Sequence, residues 1–427
     1  FTGALTVSTG ANPAFTATGG GTVSATDTTS TLTTTTGTAL NVTSTTIGAS
    51  GLTFRSISSN GASSGIVLNG TGSSGGLTVT GNVSAGSGGT IQNGATGISL
   101  TSTSNVSLNR MQLNDFSDYA IRGSSVINFT MTNTVINGTN GDNAVTFDGS
   151  VRFTELTGSA SVTNSSISGG FVDNFNVVNT SGTLNRITFD VVTIGANSTS
   201  AGSDGILIEG QNSAVVNTTV QNSFFTSTRG DHFQLNLINT ASSNLIFTGN
   251  NISNSHPAVV SGGGGIRLTG GSAGGNVTAT FNISNNIMRD SNGTAIGVTK
   301  GAGAGSFSGT ISGNQIGVAA TANSGSAAGS GISVIKAETG SLTTAITNNQ
   351  VYQYANFGII VQAGGLPTPG SGNLDATVTG NTISNPGTLI FAKNGFQLNS
   401  GTVASDAFNV CLSFGGPGAL ANSLTGS

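Results

Sequence analysis

Apolar residues recur along this chain in short alternating runs. Examples are Gly65-Ile66-Val67-Leu68, Gly97-Ile98-Ser99-Leu100, Gly205-Ile206-Leu207-Ile208, Gly265-Ile266-Arg267-Leu268, Gly331-Ile332-Ser333-Val334 and Gly395-Phe396-Gln397-Leu398. A period of two marks a strand with one face toward a core and one toward water. A further alternating run, such as Phe307-Ser308-Gly309-Thr310-Ile311, precedes a compact phrase: a small residue, Asn, any residue, an apolar residue. Gly249-Asn250-Asn251-Ile252, Gly313-Asn314-Gln315-Ile316 and Gly380-Asn381-Thr382-Ile383 are clear copies.

Followed along the chain, the phrase marks structural turn residues at Asn109, Asn133, Asn164, Asn222, Asn250, Asn285, Asn314, Asn349 and Asn381. Asp190 takes the slot once, and outer copies fall at Asn82 and at Asn409, where Cys411 fills the apolar position. Successive steps run from 24 to 35 residues. Fixed turns with elastic loops suit a solenoid, because inserts leave the stack on one side. A βαβ fold needs a helix in every unit, and none is visible. A propeller needs longer repeats with four strands each. The pattern therefore predicts an all-β fold, a right-handed parallel β-helix of about 12–14 coils of ~30 residues, with strands ~4.8 Å apart. Each Asn is expected at a tight inner turn, where it tolerates left-handed backbone and bonds its own kind one coil away. Residues 1–427 read as a single β-solenoid domain, with Thr-rich first coils over 1–38 and regular coils over 39–427. Ala319–Ser330 and Ala363–Gly372 read as protruding loops.

Composition sharpens this. Only 6% of residues are charged, there are 67 Gly, and the net charge is −4. No basic patch is available to neutralise phosphates, which argues against nucleic acid as a partner. No apolar run reaches the ~18 residues of a membrane span. One Cys excludes an intrachain disulfide. It reads as a small buried apolar residue. The 21 Phe fall mostly on alternating strand positions and read as core. The chain opens inside strand-like sequence and closes without an evident stop. The expectation is a segment of a longer exported polypeptide, extracellular or at a cell surface, whose open strand edges pair head to tail with copies of itself.

One charged feature stands out. Asp118, Asp142, Asp173, Asp204 and Asp231 each lie just before the strand that opens a coil. Stacked on one edge, they would form a line of calcium sites, with carboxylate and carbonyl oxygens as ligands. Alternatively, each Asp makes its turn by accepting backbone N–H groups.

The stacked Gly-x-Ile/Val strands and the Gly-Asn-x-Ile turns resemble the right-handed parallel β-helix class, which includes pectin-lyase-like enzymes, phage tailspikes and large bacterial surface proteins. Gly37-Thr38-Ala39-Leu40-Asn41-Val42, the passage from Ile47 to Phe54, Gly86 to Ile91 and Asn409-Val410-Cys411-Leu412 are similar to the low-charge repeat proteins of bacterial surfaces, of adhesin type. That resemblance covers nearly the whole chain. It implies a non-catalytic structural or adhesive solenoid, partnered by copies of itself or by surface polymers. The polysaccharide hydrolases of the class place Asp, His and Arg on adjacent coils, which implies an alternative: a polysaccharide lyase or hydrolase using Asp204, Asp231, His232 and Arg267. Against this, the hydrolase patterns Asn-Thr-Asp and Gly-His-Gly are absent, and there is no Trp. A calcium-stabilised binding module is the third alternative.

Overall fold

The computed structural model describes residues 1–255, 263–365, 368–388 and 394–425. It divides into two compact units, Phe1–Ser203 and Asp204–Ser427. Each is a right-handed parallel β-helix: the strand pairings run parallel, and each strand pairs with its counterpart one coil on. The helical content among the described residues is one short 3-10 turn, Gly418–Leu420.

In the first unit the strands lengthen toward the middle, to Gly89–Asn109 and Met111–Thr132, which bend at left-handed residues such as Asn105 and Asn128. Inward positions stack in register. Phe15, Leu40, Ile66, Ile98, Ile121, Val151 and Phe175 form one column. Rings carry the core onward, with Phe153 4.9 Å from Phe129 and 6.1 Å from Phe175, and Phe175 4.9 Å from Phe189. All four are fully buried. Parallel stacking places like residues over like, so Phe pairs tilt or meet edge to face, their favoured geometries.

The second unit repeats the arrangement. Ile206, Phe233, Ile266, Ile296, Ile332, Ile359 and Phe396 form the equivalent column. The two columns together mark fourteen coils, at the upper end of the expected range. The loop 319–330 does not protrude throughout: Ser326 is fully buried and bridges Ser291 and Tyr354, while 319–323 stay exposed. Of 363–372, residues 366 and 367 lie outside the described residues.

The turn phrase resolves into two adjacent positions with different jobs. The first takes a left-handed backbone. Asn133 (φ 52), Asn164 (φ 47), Asn222 (φ 50) and Asn285 (φ 56) occupy it, and Gly249, Gly313 and Gly380 do so in other coils at φ 66 to 68. Glycine meets no Cβ penalty there, and Asn is the side chain that tolerates it best. The second position points inward. In the second unit it is Asn250, Asn286, Asn314, Asn349, Asn381 and Asn422. Each Nδ2 donates to the Oδ1 of the next, at 3.0, 2.9, 2.9, 3.0 and 3.0 Å in order. Each acceptor Oδ1 also takes the backbone N–H of the Asn before it, as Asn349 does from Asn314 at 3.0 Å. Each Nδ2 further donates to a strand carbonyl, Ile283 O in the case of Asn314, at 3.0 Å. Hydroxyls hold this second position at Thr134 and Ser165 in the first unit and at Ser223 in the second, where the Ser223 N–H donates to Asn250 Oδ1 at 2.9 Å. Thr134 Oγ1 accepts the Met111 N–H at 3.2 Å, and Ser165 Oγ accepts the Thr134 N–H at 3.1 Å.

Several turn assignments therefore shift. Asn285 is a left-handed residue, and the inward amide is its neighbour Asn286. Asn109 precedes the left-handed Arg110 and accepts from Asn133 Nδ2 at 3.0 Å. Asn82 lies in an exposed turn, with Oδ1 accepting the Ser84 N–H. Asn409 is an exposed strand residue that donates to Asn373, and Cys411 is exposed rather than core. The physical reason is register. Asn409 lies in the strand Ala407–Phe414, paired with Ser371–Thr379, while the inward amide of that coil is Asn422.

Candidate functional site

The candidate chemistry of the second unit sits where the chain enters the strands Phe233–Leu237 and Ile266–Gly270. Strand alternation turns Arg267 outward between buried Ile266 and Leu268. Its side chain is 57% exposed, and Nη1 lies 3.7 Å from Asp231 Oδ2. That contact is an ion pair at the long end of the range. Asp231 Oδ1 accepts the Gly264 N–H at 2.8 Å, which ties it to the coil ahead. Burial pushes the Asp231 carboxyl up, against the pull of the Gly264 amide and of Arg267. Asp231, Arg267, Ile266, Thr294, Gly297, Thr299, Ser333 and Ile335 line a cavity of about 250 Å³.

The other two members of the proposed quartet do not join them. Asp204 is 5% exposed, and its Oδ1 accepts the Asp231 backbone N–H at 2.9 Å. Its carboxylate serves the turn. His232 is the clearer correction. It is fully buried, neither ring nitrogen has a hydrogen-bond partner, and its ring lies edge-on to Phe225 at 6.3 Å. Burial brings its imidazole down to about 4. A neutral ring facing Phe reaches neither solvent nor substrate. At the coil corner two consecutive residues, His232 and Phe233, both face inward, so the alternation that would have put His232 at the surface does not apply. Paired-carboxylate hydrolysis needs two carboxyl groups ~5–9 Å apart on either side of a substrate, and Asp204, the other carboxylate of the proposed quartet, is buried.

The acidic positions of the first unit behave in the same local way. Asp118 is half-buried and accepts from Ser117 Oγ at 3.1 Å. Asp142 is exposed. Asp173 is 3% exposed and accepts from Asn176 Nδ2 at 2.6 Å. Asp118 and Asp142 line a cavity of about 190 Å³ with Asp148, which the sequence reading passed over. Asp148 Oδ2 accepts the Asn143 N–H at 3.1 Å, and its Oδ1 accepts from Thr146 Oγ1 at 2.6 Å. Among the described residues no three His, Cys, Asp or Glu side chains converge on a point that could hold a metal ion. Asp148 and Asp204 accept backbone amides at their turns, while Asp118 and Asp173 accept from neighbouring side chains.

The hydroxyl lining of the Arg267 cavity was also missed. Its signal was present: Thr299 pairs with Thr269, one coil earlier, at the outward position two residues past Arg267. No helix among the described residues is long and apolar enough to cross a membrane.

No protein-family model matches the chain, and no curated protein matches it. Among solved structures, the periplasmic alginate epimerase AlgG matches with 12% identity over 75% of this chain and 78% of that one, at a TM-score of 0.26. A point mutant of the same epimerase matches with 10% identity over the same shares, at a TM-score of 0.22. Both likenesses are too remote to transfer an activity.

Proposed function

We propose that this chain is a non-catalytic structural or adhesive β-solenoid, exported and displayed outside the cell, whose partners are copies of itself or the polymers of a surface. The observation that carries this reading is the sealed His232. With that ring in the core and Asp204 committed to a turn amide, only Asp231 and Arg267 of the catalytic candidates meet the surface together. The rest of the polar inventory does structural work: stacked amides hold the turns, and Asp carboxylates tie coil to coil. Low charge fits a face that mates with a neutral polymer or with itself.

The test is a panel of neutral and acidic polysaccharides, assayed for new reducing ends, unsaturated products and altered sugar stereochemistry. The structural reading expects no turnover. Turnover that disappears in Asp231→Asn would establish the enzyme reading in its place. Calcium dependence is checked in parallel: the turn-making reading of the Asp residues expects the same melting temperature with and without EDTA.

A further inference from the structure

Two of the most deeply buried side chains are lysines, and neither belongs to the Arg267 cavity. Lys300 and Lys336 end the strands Ile296–Lys300 and Ile332–Lys336, pair in register on adjacent coils and are fully buried. Lys300 Nζ donates to the backbone carbonyls of Gly301 at 3.0 Å, Ala302 at 3.4 Å, Gly303 at 2.8 Å and Thr339 at 3.3 Å. Lys336 Nζ donates to Ala337 O at 3.1 Å, Glu338 O at 2.8 Å and Ser371 O at 3.0 Å, and lies 4.9 Å from the Phe408 ring centroid. The hydrogen bonds of both ammonium groups go to backbone carbonyls, not to carboxylates.

We propose that these two corners are monovalent-cation sites made of backbone carbonyls, filled in this chain by its own tethered ammonium groups. Three or four peptide oxygens converging on one point, with no anion, are the ligand set that replaces a monovalent ion's hydration shell in carbonyl-lined filters. A ring face completes the second site, where the quadrupole attracts a cation. The loops are shaped for it. Gly303 (φ 80) and Glu338 (φ 50) take left-handed backbone, and their carbonyls are among the ligands. A Cβ at Gly303 would stand 2.4 Å from Ser272 O. Burial lowers both ammonium groups to about 8, so both remain charged at neutral pH. The carboxylate of Glu338, whose charge favours both ammonium groups, has its Oε1 engaged by Thr368 at 3.0 Å. What this arrangement recognises is a small ammonium or potassium-like ion, held by number and spacing of carbonyl dipoles.

Chemical rescue tests it. Lys300→Ala removes the tether and leaves the carbonyls. Its melting temperature should fall by several degrees, and methylammonium should restore at least half of the loss in a saturable way, as mass action requires of a ligand that binds only the folded chain. Tetramethylammonium at equal ionic strength should restore none. Lys300→Met, which fills the volume without a donor, should respond to neither ion. Equal recovery with both ions, or none with either, overturns the proposal. A second measurement uses the unaltered protein. Reductive methylation followed by peptide mapping should leave Lys300 and Lys336 unmodified in the folded state and modify both after unfolding. Modification of either in the folded state overturns the proposal independently of how the variants fold.

Discussion

Replacing Asn314 by Leu isolates what the inward amide column contributes. The side chain is fully buried and makes four bonds. Its Nδ2 donates to Ile283 O at 3.0 Å and to Asn349 Oδ1 at 2.9 Å. Its Oδ1 accepts the Asn286 N–H at 3.1 Å and Asn286 Nδ2 at 2.9 Å. Leu leaves Asn349 Oδ1 with the Asn314 backbone N–H, and Asn286 Nδ2 with Phe247 O. The Asn286 backbone N–H loses the acceptor it has. A buried donor without a partner costs ~1–3 kcal/mol, and the two weakened amide pairs add ~1 kcal/mol each. Added apolar burial returns ~1 kcal/mol, leaving ~3 kcal/mol of destabilisation. The control is Asn409→Leu, at an exposed Asn–Asn pair of similar length, 3.1 Å, where a change within ~0.5 kcal/mol is expected. Urea unfolding followed by far-ultraviolet circular dichroism reads both, with midpoint and slope compared, because a solenoid can unfold in parts. A difference below ~1 kcal/mol between the two variants would show that the buried amides add nothing beyond a surface pair.

Three further outcomes follow from single residues. His232 has its folded value lowered to about 4 from 6.5, so the stability linked to its neutral form is complete above pH 6.5 and is lost as pH falls through about 4. That is ~3 kcal/mol, and His232→Phe should flatten stability against pH over this window; an unchanged slope would place the acid sensitivity elsewhere. Val191 is a β-branched residue at φ 56 and 52% exposed, so Val191→Asn should raise the melting temperature, gaining ~1 kcal/mol. A lower melting temperature would mean that packing of the Val side chain outweighs the backbone strain. Arg267→Ala should change stability by less than ~1 kcal/mol, because an exposed ion pair at this separation contributes little; a larger loss in thermal unfolding would mean the guanidinium packs rather than pairs.

The sequence by itself determined the period and the parallel stack. Alternation in Ile266–Leu268 and Ile332–Val334 sorts side chains inward and outward within a strand, and the returning Asn phrase gives the coil length. Both are local properties, and Asn314, Asn349 and Asn381 were legible for that reason. Tertiary structure decided whatever depended on the coil above or below. Asn286 rather than Asn285 bonds Asn314 because the left-handed turn spends the first residue and aims the second. Asn422 joins the column, while Asn409 and Cys411 are exposed, because strand register in the last coil is set by pairing with Ser371–Thr379. His232 faces inward because alternation fails at a corner, where the chain bends between strands and adjacent residues can share a face. Lys300 is buried with its charge because a carbonyl from Thr339, on the next coil, turns toward it. Alternation in Ile296–Lys300 places Lys300 on the inward face with Ile296 and Val298, but no window of sequence contains the carbonyl on the next coil that receives its charge.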